Sequence, residues 1–327
     1  MKIKKYFSLL SLFFVAFCCA QPQKTAKKTT SKDQPILLAD PTIFSENGVY
    51  YLYGTTTGKT SLNGEGFMVY TSTDLKKWKG PVGAQNGLAL KKGDAFGTKG
   101  FWAPQIFKFN GKYQIIYTAD ENIAIATSDN PLGPFKSDSK APMFNLGKQI
   151  DPFVFVDQDG KKYLYHVRLT NGNRIFVAEL KDDLSGIKEE TLTECISGVL
   201  PWENTQNVPW PVTEGPTVLK HNGLYYMIYS ANDFRNPDYA VGYATAKSPF
   251  GPWEKAAESP IISRKDVGIN GIGHGDVFYD KKGKMKYVLH THYDNSTDSP
   301  RKAGIIDIDF EGNKIKANAK SFVLLKE

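Results

Sequence analysis

One pattern recurs five times between Asp40 and Phe310, and it leaves few folds open. Each copy opens on a short apolar run, turns on a residue pair ending in glycine, and returns as a second and then a third apolar run. The first reads Asp40-Pro41-Thr42-Ile43-Phe44, turns at Asn47-Gly48, and continues through Val49 to Tyr53 and Phe67 to Tyr70. The second opens at Ala103-Pro104 and turns at Asn110-Gly111; the third opens at Asp151-Pro152 and turns at Asp159-Gly160. The fourth opens at Glu214-Gly215-Pro216 and turns at Asn222-Gly223; the fifth opens at His274-Gly275 and turns at Lys282-Gly283. Asn-Gly and Asp-Gly tolerate the positive φ that two-residue hairpin turns demand, so each copy reads as a hairpin extended by further strands.

Strand-rich repeats of roughly 48 to 64 residues are propeller blades. The expectation is an all-β, five-bladed β-propeller over residues 35–327. A large β-sandwich could hold similar hairpins, but it would not predict a proline near the same point of the first four copies. Composition agrees: 13% aromatic residues with 29 glycines and 18 prolines favour short strands and tight turns over long helices.

The formal charge of +7 suggests nucleic acid only until it is located. Seven lysines against Asp33 in the first 33 residues supply six of those charges, so the folded part is nearly neutral and offers no basic face to phosphates. Within residues 1–20, Lys2, Lys4 and Lys5 precede an apolar run from Tyr6 to Phe17 and then Cys18-Cys19-Ala20, the order of a secretory signal. The run is short for a membrane-spanning helix. Cleavage after Ala20 and lipid attachment at Cys19, as in bacterial lipoproteins, are the two processing routes; the lipid would be the one tie to a membrane. The protein is expected to be exported: periplasmic, anchored to the outer membrane or secreted. Residues 21–34 read as a flexible tether. Cys195 is then the one cysteine of the mature domain, so no internal disulfide is available. A monomer is expected.

Asp40, Asp151 and Glu214 open the first, third and fourth copies at what read as equivalent registers. A propeller gathers such positions at one end of its axis. A single Asp-Pro usually marks a turn or a capped strand start. Three carboxylates in an apolar funnel, however, lose hydration and repel one another, a cost that acid/base chemistry explains. The chain has no paired His or Cys spacing for zinc, no glycine-rich phosphate loop and no Gly-flanked serine elbow.

Ala39-Asp40-Pro41, Ile150-Asp151-Pro152 and Thr213-Glu214-Gly215-Pro216 resemble the three catalytic motifs of glycoside hydrolase family 43, and the resemblance runs from about Leu38 to Phe310. It implies a five-bladed propeller that cleaves glycosides with inversion, with Asp40 as general base, Glu214 as general acid and Asp151 orienting the acid and tuning its pKa. Burial and the Asp151 charge would both raise the pKa of Glu214. The resemblance also makes Phe101 and Trp102 part of the sugar subsite, with Trp102 as a wall, although Gln105 stands where the family often has an acid. It puts Arg301 near the cleaved bond and His274 on the propeller axis, holding water or, through water, a structural calcium ion; no cofactor is required. The implied substrate is a plant-type polysaccharide or oligosaccharide, attacked by an exo-acting α-L-arabinofuranosidase or β-xylosidase. The same fold cleaving a galactofuranoside or an anhydro-galactose unit, or binding glycan without cleaving it, are the alternatives.

Overall fold

The computed structural model describes Met1 and residues 34–327; the signal expected over 1–20 and the tether over 21–34 otherwise lie outside the described residues. Turns form where the glycine pairs demand them. Asn47, Asn110 and Asn222 adopt φ of 50°, 48° and 48°, each followed by a glycine at positive φ, and each joins an inner strand to its antiparallel neighbour.

Five sheets follow in chain order, as the repeat predicts. The first blade is built from Leu38–Glu46, Val49–Thr56 and Tyr70–Ser72, the second from Trp102–Phe109, Lys112–Ala119 and Asn122–Ser128. The third comprises Gln149–Val156, Lys162–Leu169, Asn173–Glu179 and Thr193–Ile196; the fourth comprises Thr213–His221, Leu224–Ala231, Ala240–Ala246 and Glu254–Lys255. Gly273–Tyr279, Met285–Thr291, Lys302–Glu311 and Lys314–Leu324 form the fifth. A small two-stranded sheet, Gly66–Met68 with Leu88–Lys91, lies outside the blades.

The core sits between blades rather than within one. Tyr53 and Phe67 of the first blade region pack with Ile115 and Tyr117 of the second, and Tyr165 and Val177 of the third pack with Met227 and Tyr229 of the fourth. Ile43, Leu52 and Tyr70 meet Phe278, Val288 and Ile305, so the fifth blade packs against the first. Main-chain bonds secure that closure: Ile36 N–H donates to the Leu325 carbonyl at 3.0 Å, and Ala303 N–H donates to the Ile36 carbonyl at 3.0 Å.

Every inner strand carries a break in register at the same place, of the kind a β-bulge makes. The residue in the break is Asp40, Ala103, Asp151, Gly215 or His274, with φ of 47°, 44°, 55°, 60° and 37° respectively. For the four that are not glycine such a backbone costs roughly 1–3 kcal/mol each, which the surroundings must offset. In each case a side chain of a neighbouring blade accepts the bulged N–H. Thr55 Oγ1 takes Ala103 at 2.9 Å, Thr118 Oγ1 takes Asp151 at 2.9 Å, Ser230 Oγ takes His274 at 2.7 Å, and His290 Nδ1 takes Asp40 at 3.1 Å. These acceptors occupy one position of the second strand in their respective blades. In the third blade that position is Val167, which has no acceptor, and Asp151 Oδ2 receives the Gly215 N–H at 3.3 Å instead.

The bulges correct one expectation. Gly215, not Glu214, shares the register of Asp40 and Asp151. Glu214 comes one residue earlier, level with Ala39, Trp102, Ile150 and Gly273 of the other blades.

Candidate active site

Two rings of side chains follow from that offset. The bulged residues Asp40, Asp151 and His274 form the floor of a cavity of about 280 Å³, and Trp102, Ile150 and Glu214, one residue back, stand on its wall. Behind the floor, along the axis, lies a space of about 20 Å³, the room one water needs. Phe234 and Arg301 complete the wall, the guanidinium lying 4.3 Å over the Phe234 ring.

Each carboxylate has a different set of partners. Asp40 Oδ1 accepts from Arg301 Nη1 at 3.0 Å, and Asp40 Oδ2 accepts from Thr55 Oγ1 at 2.5 Å. Glu214 Oε1 accepts from the Tyr239 hydroxyl at 2.9 Å and Oε2 from Asn173 Nδ2 at 3.0 Å. Asp151 is held by its bond from Gly215 N–H, with His274 Nδ1 3.8 Å away; the same nitrogen is 3.4 Å from Asp40.

The family model described as glycosyl hydrolases family 43 matches residues 33–314. This chain belongs to family 43 of the glycosyl hydrolases. It is similar to an endo-1,4-β-xylanase structure from Bacteroides thetaiotaomicron VPI-5482, with 41% identity, TM-score 0.81, and coverage of 89% of this chain and 97% of that one. A thermostable family-43 glycoside hydrolase is 36% identical with TM-score 0.78, covering 88% of this chain and 96% of that one. Among curated proteins, a β-D-galactofuranosidase of Aspergillus niger is 25% identical over 319 residues, 90% of this chain and 88% of its own length. The chain is therefore a glycosidase.

Electrostatics divides the carboxyls of this family-43 enzyme into two kinds. Burial opposes ionisation of Asp40, but the Arg301 guanidinium, the adjacent His274 and His290 rings and, least, the Thr55 hydroxyl outweigh it and hold the carboxyl well below the usual range. Glu214 moves the other way, to about 7, first through burial and then through the Asp40 charge, against the lowering bonds from Tyr239 and Asn173. Asp151 is also raised, by burial and by the charges of Glu214 and Asp40. Buried side by side, Asp151 and Glu214 do not both ionise cheaply, so their titration belongs to the pair. Burial pushes His274 and His290 down, which keeps both rings neutral near pH 7.

Of the residues singled out in the sequence, Asp40, Asp151, Glu214, Trp102, His274 and Arg301 line this one cavity. Phe101 is the correction. It is buried between the first two blades, 5.9 Å from the Phe67 ring edge-on and 6.1 Å from Tyr117 in a stack. Successive strand side chains point to opposite faces, so when Trp102 turns to the pocket Phe101 turns to the core. Gln105, where the family often has an acid, spends its amide on the Val154 main chain, at 2.7 and 3.2 Å, and ties the second blade to the third. Asn173, Phe234, Tyr239 and His290 were missed; each is a lone residue in a strand or loop, and no spacing marks it.

Among the described residues no three His, Cys, Asp or Glu side chains converge as a direct metal-ligand set.

Proposed function

We propose that this glycosidase removes one terminal sugar at a time from plant-type polysaccharide or oligosaccharide with inversion at the anomeric carbon, Asp40 acting as general base and Glu214 as general acid. What supports this reading is that Asp40, whose pKa the Arg301 guanidinium lowers, and Glu214, whose pKa burial raises to about 7, line one cavity. Asp40, with a second lone pair free on each oxygen, takes a proton from water as that water bonds to the anomeric carbon. The bond from that carbon to the leaving oxygen breaks, and the proton of Glu214 goes to the leaving oxygen. Exchange with solvent then resets both groups. Asp151, fixed by the Gly215 N–H, stands beside the acid, and Arg301 holds Asp40 ionised.

A volume of about 280 Å³ lies at the small end of the roughly 300–1,000 Å³ of ligand pockets, which suits one sugar ring and favours terminal cleavage. The name of the Bacteroides structure speaks of internal xylan cleavage, whereas an arabinoxylan arabinofuranohydrolase of Bacillus subtilis is 26% identical over 294 residues. An α-L-arabinofuranoside or β-xyloside is our first substrate; the likeness to a galactofuranosidase supports a galactofuranoside as the second. Export by the N-terminal signal, with lipid at Cys19 or cleavage after Ala20, is part of the proposal; the mass of the mature N-terminus decides between them.

The test is Glu214→Gln with product stereochemistry followed by NMR. Loss of roughly 10²–10⁴ in kcat is expected, and retention of anomeric configuration by the wild type would overturn the mechanism.

A further inference from the structure

Thr55, Thr118 and Ser230 accept a bulged N–H with a hydroxyl, at 2.7 to 2.9 Å, whereas the fifth blade puts a ring, His290, at the same position. Accepting the Asp40 N–H, at 3.1 Å, does not by itself call for an imidazole. The ring is fully buried, so the rest of it must answer to a neighbour.

That neighbour is Tyr239. The two rings stack, 5.6 Å between centroids and 11° from parallel, within the range of an offset aromatic pair. Tyr239 directly precedes the fourth-blade strand Ala240–Ala246 and is itself fully buried. It occupies the wall position of the fifth blade, where Gly273 brings no side chain; a Cβ there would lie 2.5 Å from the Tyr239 ring. Gly273 is level with Glu214, and the hydroxyl of the lodged ring reaches Glu214 Oε1 at 2.9 Å. Asn173 Nδ2 donates to Oε2 at 3.0 Å. With one donor on each oxygen the plane of the carboxyl is set, and with it the direction in which its proton points.

Neither His290 nor Tyr239 lines the cavity, yet together they join the two groups that do the chemistry. The path runs from the Asp40 main chain to His290, across the stack to Tyr239, and on to Glu214. We propose that His290 is a positioning residue for the general acid: its ring holds Tyr239, and through it Glu214, at a fixed place relative to Asp40. The inference rests on the roles given to Asp40 and Glu214 and adds what keeps their separation, the quantity that leaves room for the attacking water. The titratable and charged groups facing Glu214 and the two rings are Asp40, Asp151, Asp233, His274, His292 and Arg301, and the variants below leave all six in place.

His290→Thr installs the kind of acceptor that the first two blades use and removes the stack. The readouts are kcat, KM and the alkaline limb of kcat/KM, which belongs to Glu214. That limb should move upward by about one unit, because a loosened Tyr239 no longer favours the ionised acid. In the same variant kcat should fall by roughly tenfold while KM barely changes, since neither ring touches the sugar. Added to Tyr239→Phe, His290→Thr should move the limb no further, because both act through one contact. His290→Phe keeps a ring against Tyr239 and should leave the limb in place while lowering the melting temperature. Should His290→Thr not fold, Gly273→Ala decides: its Cβ displaces Tyr239 without touching His290, and the limb should again move upward. A limb that stays in place, or a double variant whose shift equals the sum of the single ones, would overturn the inference alone. Activity retained by Glu214→Gln would instead overturn the acid assignment on which it rests.

Discussion

A single residue of offset decides what Glu214 can do. Had it shared the register of Asp40 and Asp151 it would sit on the floor among anions and beside the Arg301 charge; one position earlier it stands on the wall next to Ile150 and Trp102, where burial raises its pKa to about 7. An acid must be protonated to act, so kcat/KM should hold steady below pH 7 and fall about tenfold per unit above it. Asp40 is ionised across that range, so no acidic limb from it is expected near neutrality. The Tyr239 hydroxyl favours the ionised form of Glu214 by donating to it, so Tyr239→Phe should raise the acid's pKa and move the alkaline limb upward by about one unit. A limb that moves downward, or stays in place, would contradict the role given to that bond. The three carboxylates were legible in the sequence because each stands beside a glycine or proline that punctuates a strand. The offset was not, because a proline follows both Asp40 and Gly215 and the eye aligns the charges rather than the prolines.

At the scale of the element, the repeated bulge is what places chemistry on this fold. It turns one residue per blade toward the axis, and the next blade stays in place because a side chain receives the bulged N–H. Val167 breaks the series, and the carboxylate that substitutes for the missing hydroxyl is Asp151. Asp151 thus gains its fixed position by taking the place of the missing acceptor. Gly215 is constrained twice, by φ of 60° and by the His274 ring, which an added Cβ would meet at 2.8 Å. Gly215→Ala should lower stability by roughly 1–3 kcal/mol and reduce kcat/KM by pressing His274 toward Asp40 and Asp151. Gly223→Ala is the control: its φ is 78°, yet an added Cβ meets nothing within 4 Å, so chemical denaturation should show a cost while kcat/KM stays level. Hairpins, glycine turns and blade count were readable because they depend on neighbours in sequence. The bulge acceptors, Asn173 and Tyr239 were not, because their partners lie in other strands or other blades.

For the molecule as a whole, stability is distributed over blade-to-blade interfaces, and the site lies where all five blades meet. The bond from Asp40 N–H to His290 Nδ1, which ties the first blade to the fifth, is of the same kind as those between the other blades, and it also fixes the backbone of the proposed base. Gln34 and Glu327 lie side by side, Glu327 N–H donating to the Gln34 carbonyl at 3.1 Å. Rejoining residues 34 and 327 through a short Gly-Ser linker and opening the chain in the exposed stretch Asp138–Lys140 should therefore give a protein with nearly the same melting temperature and product profile. A permuted chain that stays unfolded would show that the order in which blades are made matters as well as their contacts. The His290 bond makes that outcome unexpected: a ring in which each blade hands the same kind of bond to the next has no beginning, and synthesis merely chooses where to cut it.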